Sequence, residues 1–226
     1  MTAALTSVLQ QRQRRVEPLR RTINGPSNGP LPVGKITPNH PVSFKRNEKL
    51  SFVHHSLWRI HAGHIRTLTW SAEGEFVPLG FWSVGDVVGY PVAQTYPYEA
   101  RCLGAVDAEP LNVSYPLSRE MLLAQVRQSN SLLQISHCRQ SEQRILQFIC
   151  WLAARFGKAI AKGIEIPLRL THQEIAESVG TTRVTVTRLL KSLERKQHII
   201  WKTQEKIVFR NTFEQSYVQA ARGYRA

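Results

Sequence analysis

The chain has 226 residues, 42% of them hydrophobic, with 30 Lys and Arg against 16 Asp and Glu for a formal net charge of +14. That length allows one large or two small domains with real cores. No run of about 18 apolar residues exists to cross a bilayer as a helix, and the opening MTAALTSVLQQRQRRVEP lacks the apolar block of a signal peptide.

The charge is unevenly spread. Residues 1–50 hold nine Lys/Arg and two acids, residues 51–157 hold eight and eight, and residues 158–226 hold thirteen and six. A neutral middle with basic ends predicts a regulatory or structural body carrying an anion-binding end. Nucleic acid is the natural partner, and an acidic lipid surface fits less well. The three cysteines, Cys102, Cys138 and Cys150, show neither paired nor short metal spacing. They fit a reducing cytoplasm, packed or inert.

In chain order, residues 1–45 read as a basic, flexible tail. Arg12, Arg14, Arg15, Arg20 and Arg21 cluster ahead of NGPSNGPLPVG, and Pro and Gly recur to Pro41. Extra phosphate attraction and simple solubilisation both remain open roles for it.

Residues 46–116 read as short strands. Leu57, Ile60, Ile65, Leu68, Phe76, Leu79, Val84, Val87 and Val88 are separated by expected turns at His61–Gly63, Ala72–Gly74 and Gly85–Asp86. That spacing suggests an antiparallel roll or barrel. His54, His55, His61 and His64 are the metal-like group. No carboxylate or thiol stands beside them in sequence, so strand and turn histidines are expected rather than a metal site. Glu73 and Glu75 sit on an expected exposed turn, a poor place for acid–base chemistry. No nucleophile motif is recognised, so no enzyme activity, catalytic residue or cofactor is expected.

Residues 117–157 read as helices. Leu117, Met121, Leu122 and Val126 form one stripe, continued by Leu132, Leu133, Ile135 and Cys138 beyond the weak Ser129–Ser131 step. Ile145, Phe148, Ile149, Leu152, Ala153 and Phe156 form a second, stronger one, suited to packing on the next domain.

Residues 158–226 form the last unit, entered through the link GKAIAKGIEIP. A helix is expected from Thr171 to about Ser178, with Thr171 and Glu174 spaced as a capping box. Gly180 breaks the pattern where a tight turn needs positive φ. A second helix starts near Thr182, with Val184, Val186, Leu189, Leu190 and Leu193 as apolar positions and Arg183, Thr187, Arg188 and Lys191 as polar and basic ones. Two short helices across a glycine turn, the second basic, make a helix-turn-helix, though a plain helical hairpin with a solvated basic face has the same spacing. Ile199–Trp201 and Ile207–Phe209 read as a wing, with Lys202 and Lys206 flanking its tip either as phosphate contacts or as solvated strand-end lysines.

Arg183, at the start of the second helix, is expected to face a major groove and bond guanine O6 and N7, worth roughly 1–3 kcal/mol of discrimination. Thr182, Thr185 and Thr187 would bond phosphates or orient the arginines. Thr171 lies where helix N–H groups meet a phosphate. Gln173 is a phosphate or base-edge candidate, with an exposed helical Gln as the alternative.

The run LTHQEIAESVGTTRVTVTRLLKSLERKQHI resembles the DNA-binding domain of the CRP/FNR transcription regulators. Within that family it is most similar to the cyanobacterial global nitrogen regulators, through TRVTVTRLL. The stretch LWRIHAGHIRTLTWSAEGEFVPLGFWSVGDVVG resembles the family's effector domain, with Gly63, Gly74–Glu75 and the Gly85, Asp86, Gly89 segment in order. The resemblance implies an α+β fold: an N-terminal double-stranded β-helix (jelly-roll-like), a connecting helix and a C-terminal winged helix-turn-helix. It gives Arg188 the same base-reading job as Arg183. It puts Val184 where other members carry a glutamate; a valine there would meet a thymine methyl, as on a GTA…TAC palindrome. It also implies a homodimer through 118–140, although that helix region reads as shortened or interrupted.

The effector segment departs from the cyclic-nucleotide binders. Tyr90 and Pro91 stand where those place a Glu, and Arg101 is followed by Cys102 rather than a hydroxyl. A cyclic nucleotide is therefore not expected. 2-Oxoglutarate, the effector of the nitrogen regulators, follows from the resemblance alone, and the absence of any small effector is the preferred reading. The expected function is a cytoplasmic, nucleoid-associated, sequence-specific transcription regulator, a dimeric activator or dual regulator that binds a palindromic promoter site and contacts RNA polymerase. The alternatives are a non-specific or architectural DNA-binding protein, or a β-roll ligand-binding protein or enzyme.

Overall fold

The structure, a computed structural model, describes residues 40–52, 57–112, 114–202 and 206–209, with the backbone alone for 202 and 206. The arginine cluster at 12–21, His54, His55 and the terminal FEQSYVQAARGYRA lie outside the described residues. Everything described belongs to one unit, Thr37–Ala226.

Two antiparallel sheets make the first layer. Strands β1 (Val42–Phe44), β2 (Leu57–Ala62), β5 (Val87–Gly89) and β7 (Val106–Leu111) pair in the order β1-β7-β2-β5. Strands β3 (Ile65–Trp70), β4 (Phe76–Trp82) and β6 (Glu99–Cys102) pair in the order β4-β3-β6. Trp58, Ile60, Val106 and Ala108 from the first sheet meet Ile65, Trp82, Ala100 and Cys102 from the second in one buried cluster. Period-two alternation is visible on β7, whose residues alternate buried and half-buried.

Several expectations shift here. Val42–Phe44 pairs with Val106–Ala108 and so joins the sheet. The turn expected at His61–Gly63 sits one step later, because β2 runs on through Ala62. Val84 is not a strand residue: it lies in the β4–β5 turn and is 63% exposed. A short helix, α1 (Tyr90–Ala93), follows β5.

Helix α2 (Arg119–Ser136) runs unbroken through Ser129–Ser131, capped by the Ser118 side chain on the Met121 N–H. It lies against β4. A Cβ on Gly80 would stand 2.6 Å from the Trp82 ring and 2.7 Å from Gln128 Nε2, so only glycine permits that approach. Gln128 Oε1 accepts a hydrogen bond from the Phe81 N–H at 2.7 Å. Helix α3 (Ser141–Phe156) follows after a short break and is buried along most of its length.

The link at 157–167 is structured. Its residues form the hairpin β8 (Lys158–Ile160) and β9 (Gly163–Ile166). With β10 (Ile199–Lys202) and β11 (Lys206–Phe209) it makes a third sheet, ordered β10-β11-β9-β8. The apolar positions Ile164 and Ile166 sit too close to the glycines for periodicity to separate strand from linker. Pairing with β11, far along the chain, decides it.

Helices α4 (His172–Val179) and α5 (Arg183–Arg195) pack on α3 and this sheet. Phe81 of β4 inserts into the same core, 5.6 Å from Phe148 and 5.9 Å from Trp151 ring to ring. The β-sheet layer and the helical domain therefore share buried side chains.

Candidate nucleic-acid interface

Helix α4 begins with a complete capping box. Thr171 Oγ1 accepts from the Glu174 N–H at 3.1 Å, and Glu174 Oε2 accepts from the Thr171 N–H at 2.7 Å. Gly180 ends it in the left-handed region at φ 63° and ψ 57°. Arg144 of α3 locks the turn: its Nη1 donates to the carbonyls of Val179 (2.8 Å) and Gly180 (3.0 Å), and its Nε to that of Cys138 (2.9 Å).

Helix α5 divides cleanly. At about 100° per residue, Val186, Leu189, Leu190 and Leu193 fall within an arc of about 100°, and all four are buried. Arg183, Val184, Thr187, Arg188 and Lys191 occupy another arc, of about 140°, and line one open groove. Val184 is 78% exposed at the N-terminal end of that face. The first turn of α5 carries no acid. The face thus presents three cations and one uncovered apolar side chain to solvent.

The threonines are spent locally. Thr182 caps α5 through the Thr185 N–H (3.2 Å), and the two hydroxyls lie 2.9 Å apart. Thr187 donates to the Arg183 carbonyl at 2.9 Å and lies 2.8 Å from His172 Nδ1. His172 in turn meets Trp201 of β10 edge to face, with centroids 4.9 Å apart. Gln173 is exposed, and its Nε2 donates to Glu177 Oε1 at 3.1 Å. Lys202 and Lys206 hold opposite register positions at the end of the β10–β11 hairpin, and their side chains lie outside the description.

Beneath α4 lies a group that no local pattern announces. Arg66 of β3 is 2% exposed, and its Nη1 donates to Glu177 Oε2 at 2.8 Å. Its Nη2 lies 3.7 Å from Glu174 Oε1, while Arg46 Nη2 reaches Glu174 Oε2 at 3.4 Å. Sequence reasoning singled out none of His172, Arg144 and Arg66, because each holds its neighbouring helix through a partner 15 or more residues away.

The Crp-like helix-turn-helix domain family matches residues 143–212. A CRP-family transcriptional regulator of Thermus thermophilus superposes with a TM-score of 0.62 at 19% identity, over 80% of this chain and 96% of that one. The chain has the CRP/FNR fold and a Crp-like helix-turn-helix domain. Regulatory protein CysR of Synechococcus elongatus is 42% identical over 137 residues, which are 59% of this chain and 66% of the relative. A global nitrogen regulator of Nostoc is 41% identical over 78 residues, 34% of this chain and 35% of the relative. The chain thus covers just under two thirds of the first curated relative and about a third of the second. The CRP/FNR resemblance, and the likeness of its helix-turn-helix to the nitrogen regulators, are borne out.

In the β-sheet layer, Arg101 is engaged. Its Nε donates to Glu99 Oε1 at 2.7 Å, its guanidinium lies 5.4 Å from the Phe76 ring centroid, and Lys49 Nζ takes Glu99 Oε2 at 2.6 Å. Burial pushes the Glu99 carboxyl up, but Lys49 and Arg101 together hold it below its ordinary value. His61 lies 3.0 Å from Glu109, a carboxylate brought from β7 by pairing rather than by sequence. Among the described residues no three metal-binding side chains converge.

Proposed function

We propose that the chain is a sequence-specific DNA-binding transcription regulator acting as a homodimer on a palindromic promoter site. The observation that carries this is the α5 face, with Arg183, Arg188 and Lys191 beside an exposed Val184. Phosphate binding alone has no use for a valine there, whereas a thymine methyl does. Arg183 and Arg188 read guanines; Lys191, Lys202, Lys206, Gln173 and the α4 N-terminus at Thr171 meet the backbone. Thr182, Thr185 and Thr187 orient the helix and its arginines rather than binding phosphate themselves.

The proposed division of the chain is a basic tail, a β-sheet body that includes Val42–Phe44, two connecting helices and the winged domain from Lys158. The partner copy docks on α2, whose outer face shows Leu122, Val126 and Leu133 at 46%, 53% and 56% exposure. The protein works in the cytoplasm on the nucleoid, recruits or blocks RNA polymerase and catalyses nothing. Its signal is not a cyclic nucleotide, because Arg101 is committed to Glu99. A role for 2-oxoglutarate rests on the resemblance to the nitrogen regulators alone, and the absence of any small effector is the preferred reading.

Replacing Arg183 by Ala tests the reading. Affinity for the best duplex selected from a random pool should fall by about tenfold or more at fixed salt, while affinity for random duplex changes far less. If both fall by one factor, Arg183 is a phosphate contact and base reading by this helix is wrong.

A further inference from the structure

Resting on the DNA-binding reading above, we propose that Arg66, a residue of the β-sheet body, is a positioning residue for DNA binding that clamps helix α4 through Glu177 and Glu174. Four observations carry it.

First, Arg66 is among the largest fully buried side chains and comes from β3, not from the helix-turn-helix. A guanidinium is kept charged under nearly all conditions, so burying it demands anionic partners. It finds both on α4, one turn apart. Second, Glu177 is shared. One oxygen takes Arg66 and the other takes Gln173, an exposed residue on the side of α4 offered to the DNA backbone. Holding Glu177 therefore holds the Gln173 amide. Third, Glu174 is also the capping-box acid, so the same ion-pair cluster reaches the N-terminus of α4, where Thr171 sits. Fourth, Arg46, just beyond β1, adds a second cation on Glu174 and also donates to the Arg169 carbonyl at 3.4 Å. Arg46 thus ties the body both to the chain leading into α4 and to α4 itself.

Simple electrostatics and the clamp predict opposite signs. Glu177 is an acid on a helix that would approach phosphates. If it acted only as a charge, Glu177→Gln would tighten DNA binding by removing repulsion. If it is the anchor through which Arg66 sets α4, the same change weakens binding, because a neutral amide loses the ion pair and α4 loses its fixed seat.

The experiment uses the full chain. Wild type, E177Q, R66Q and the double variant are compared for affinity to a selected duplex and to random duplex at matched salt, with thermal melting recorded for each. The expected result is a loss of about fivefold or more for E177Q on both duplexes alike. R66Q should do the same, and the double variant should be no weaker than the worse single one. E177Q, only partly buried and isosteric, keeps the test decisive if R66Q fails to fold. Wild-type or tighter binding by a folded E177Q overturns the clamp. So does a double variant whose losses simply add. Wild type that binds no duplex would instead sink the DNA-binding reading, a failure visible before any variant is made.

Discussion

At the residue scale, burial decides what each ionisable group can do. His64 stands edge-on to Phe156, with centroids 5.8 Å apart, and burial, then the Lys158 charge, hold its pKa below the ordinary 6.5. The folded chain therefore prefers the neutral ring. As pH falls through about 6.5, the unfolded chain takes up a proton that folded His64 refuses, and stability is lost until the lower folded value is passed. His64→Gln should flatten that part of the stability–pH curve, checked by melting between about pH 7 and pH 5. Parallel curves for wild type and variant would place the loss elsewhere. The two buried thiols, Cys102 and Cys150, are pushed up to about 12 by burial. They stay protonated near neutrality, as inert packing groups do.

At the element scale, α2 has two unlike faces, and the proposed dimer uses the outer one. Its inner face, with Gln128, Ser131, Leu132 and Ile135, closes on β4 and α3. Its outer face leaves Leu122, Val126 and Leu133 at i, i+4 and i+11, a stripe that costs free energy while wet. Replacing these three by Gln should leave the melt nearly unchanged and convert a dimer to a monomer by sedimentation. Affinity for a two-fold site should fall by about tenfold or more, with binding to one half-site little changed. A triple variant that sediments like wild type would remove α2 as the dimer surface. The short α4 and α5 were legible from one capping box, one glycine and one apolar arc, all local signals. The hairpin β8–β9 was not, because its place in a sheet depends on the pairing of β9 with β11, more than 40 residues further along the chain.

For the whole molecule, the charge is the argument. Residues 1–50 carry net +7 and residues 158–226 carry net +7 around a neutral middle. Each cation that meets a phosphate releases counterions and steepens the salt dependence by about one unit. Removing residues 1–40 should weaken binding to selected and random duplexes together and lower that slope. An unchanged slope would show that the basic tail takes no part. The β-sheet body is joined to the winged domain through Phe81 in the helical core and through Arg66 under α4. A change of shape in the body therefore has a mechanical route to α4 and α5.

Sequence alone determined the helix-turn-helix, its caps and turn, and the cationic face, because these depend on spacings of three to five residues within one helix or turn. It also determined that Arg101 lacks the hydroxyl neighbour a phosphate pocket uses. Only the tertiary structure decided which sheet holds each strand, that Val42–Phe44 and the 157–167 link are paired strands, and that Glu109 stands beside His61. It alone revealed the burial of Arg66 against two acids more than 100 residues away. The physical reason is common to all of these: strand pairing and buried charge compensation join residues whose separation along the chain leaves no periodic trace.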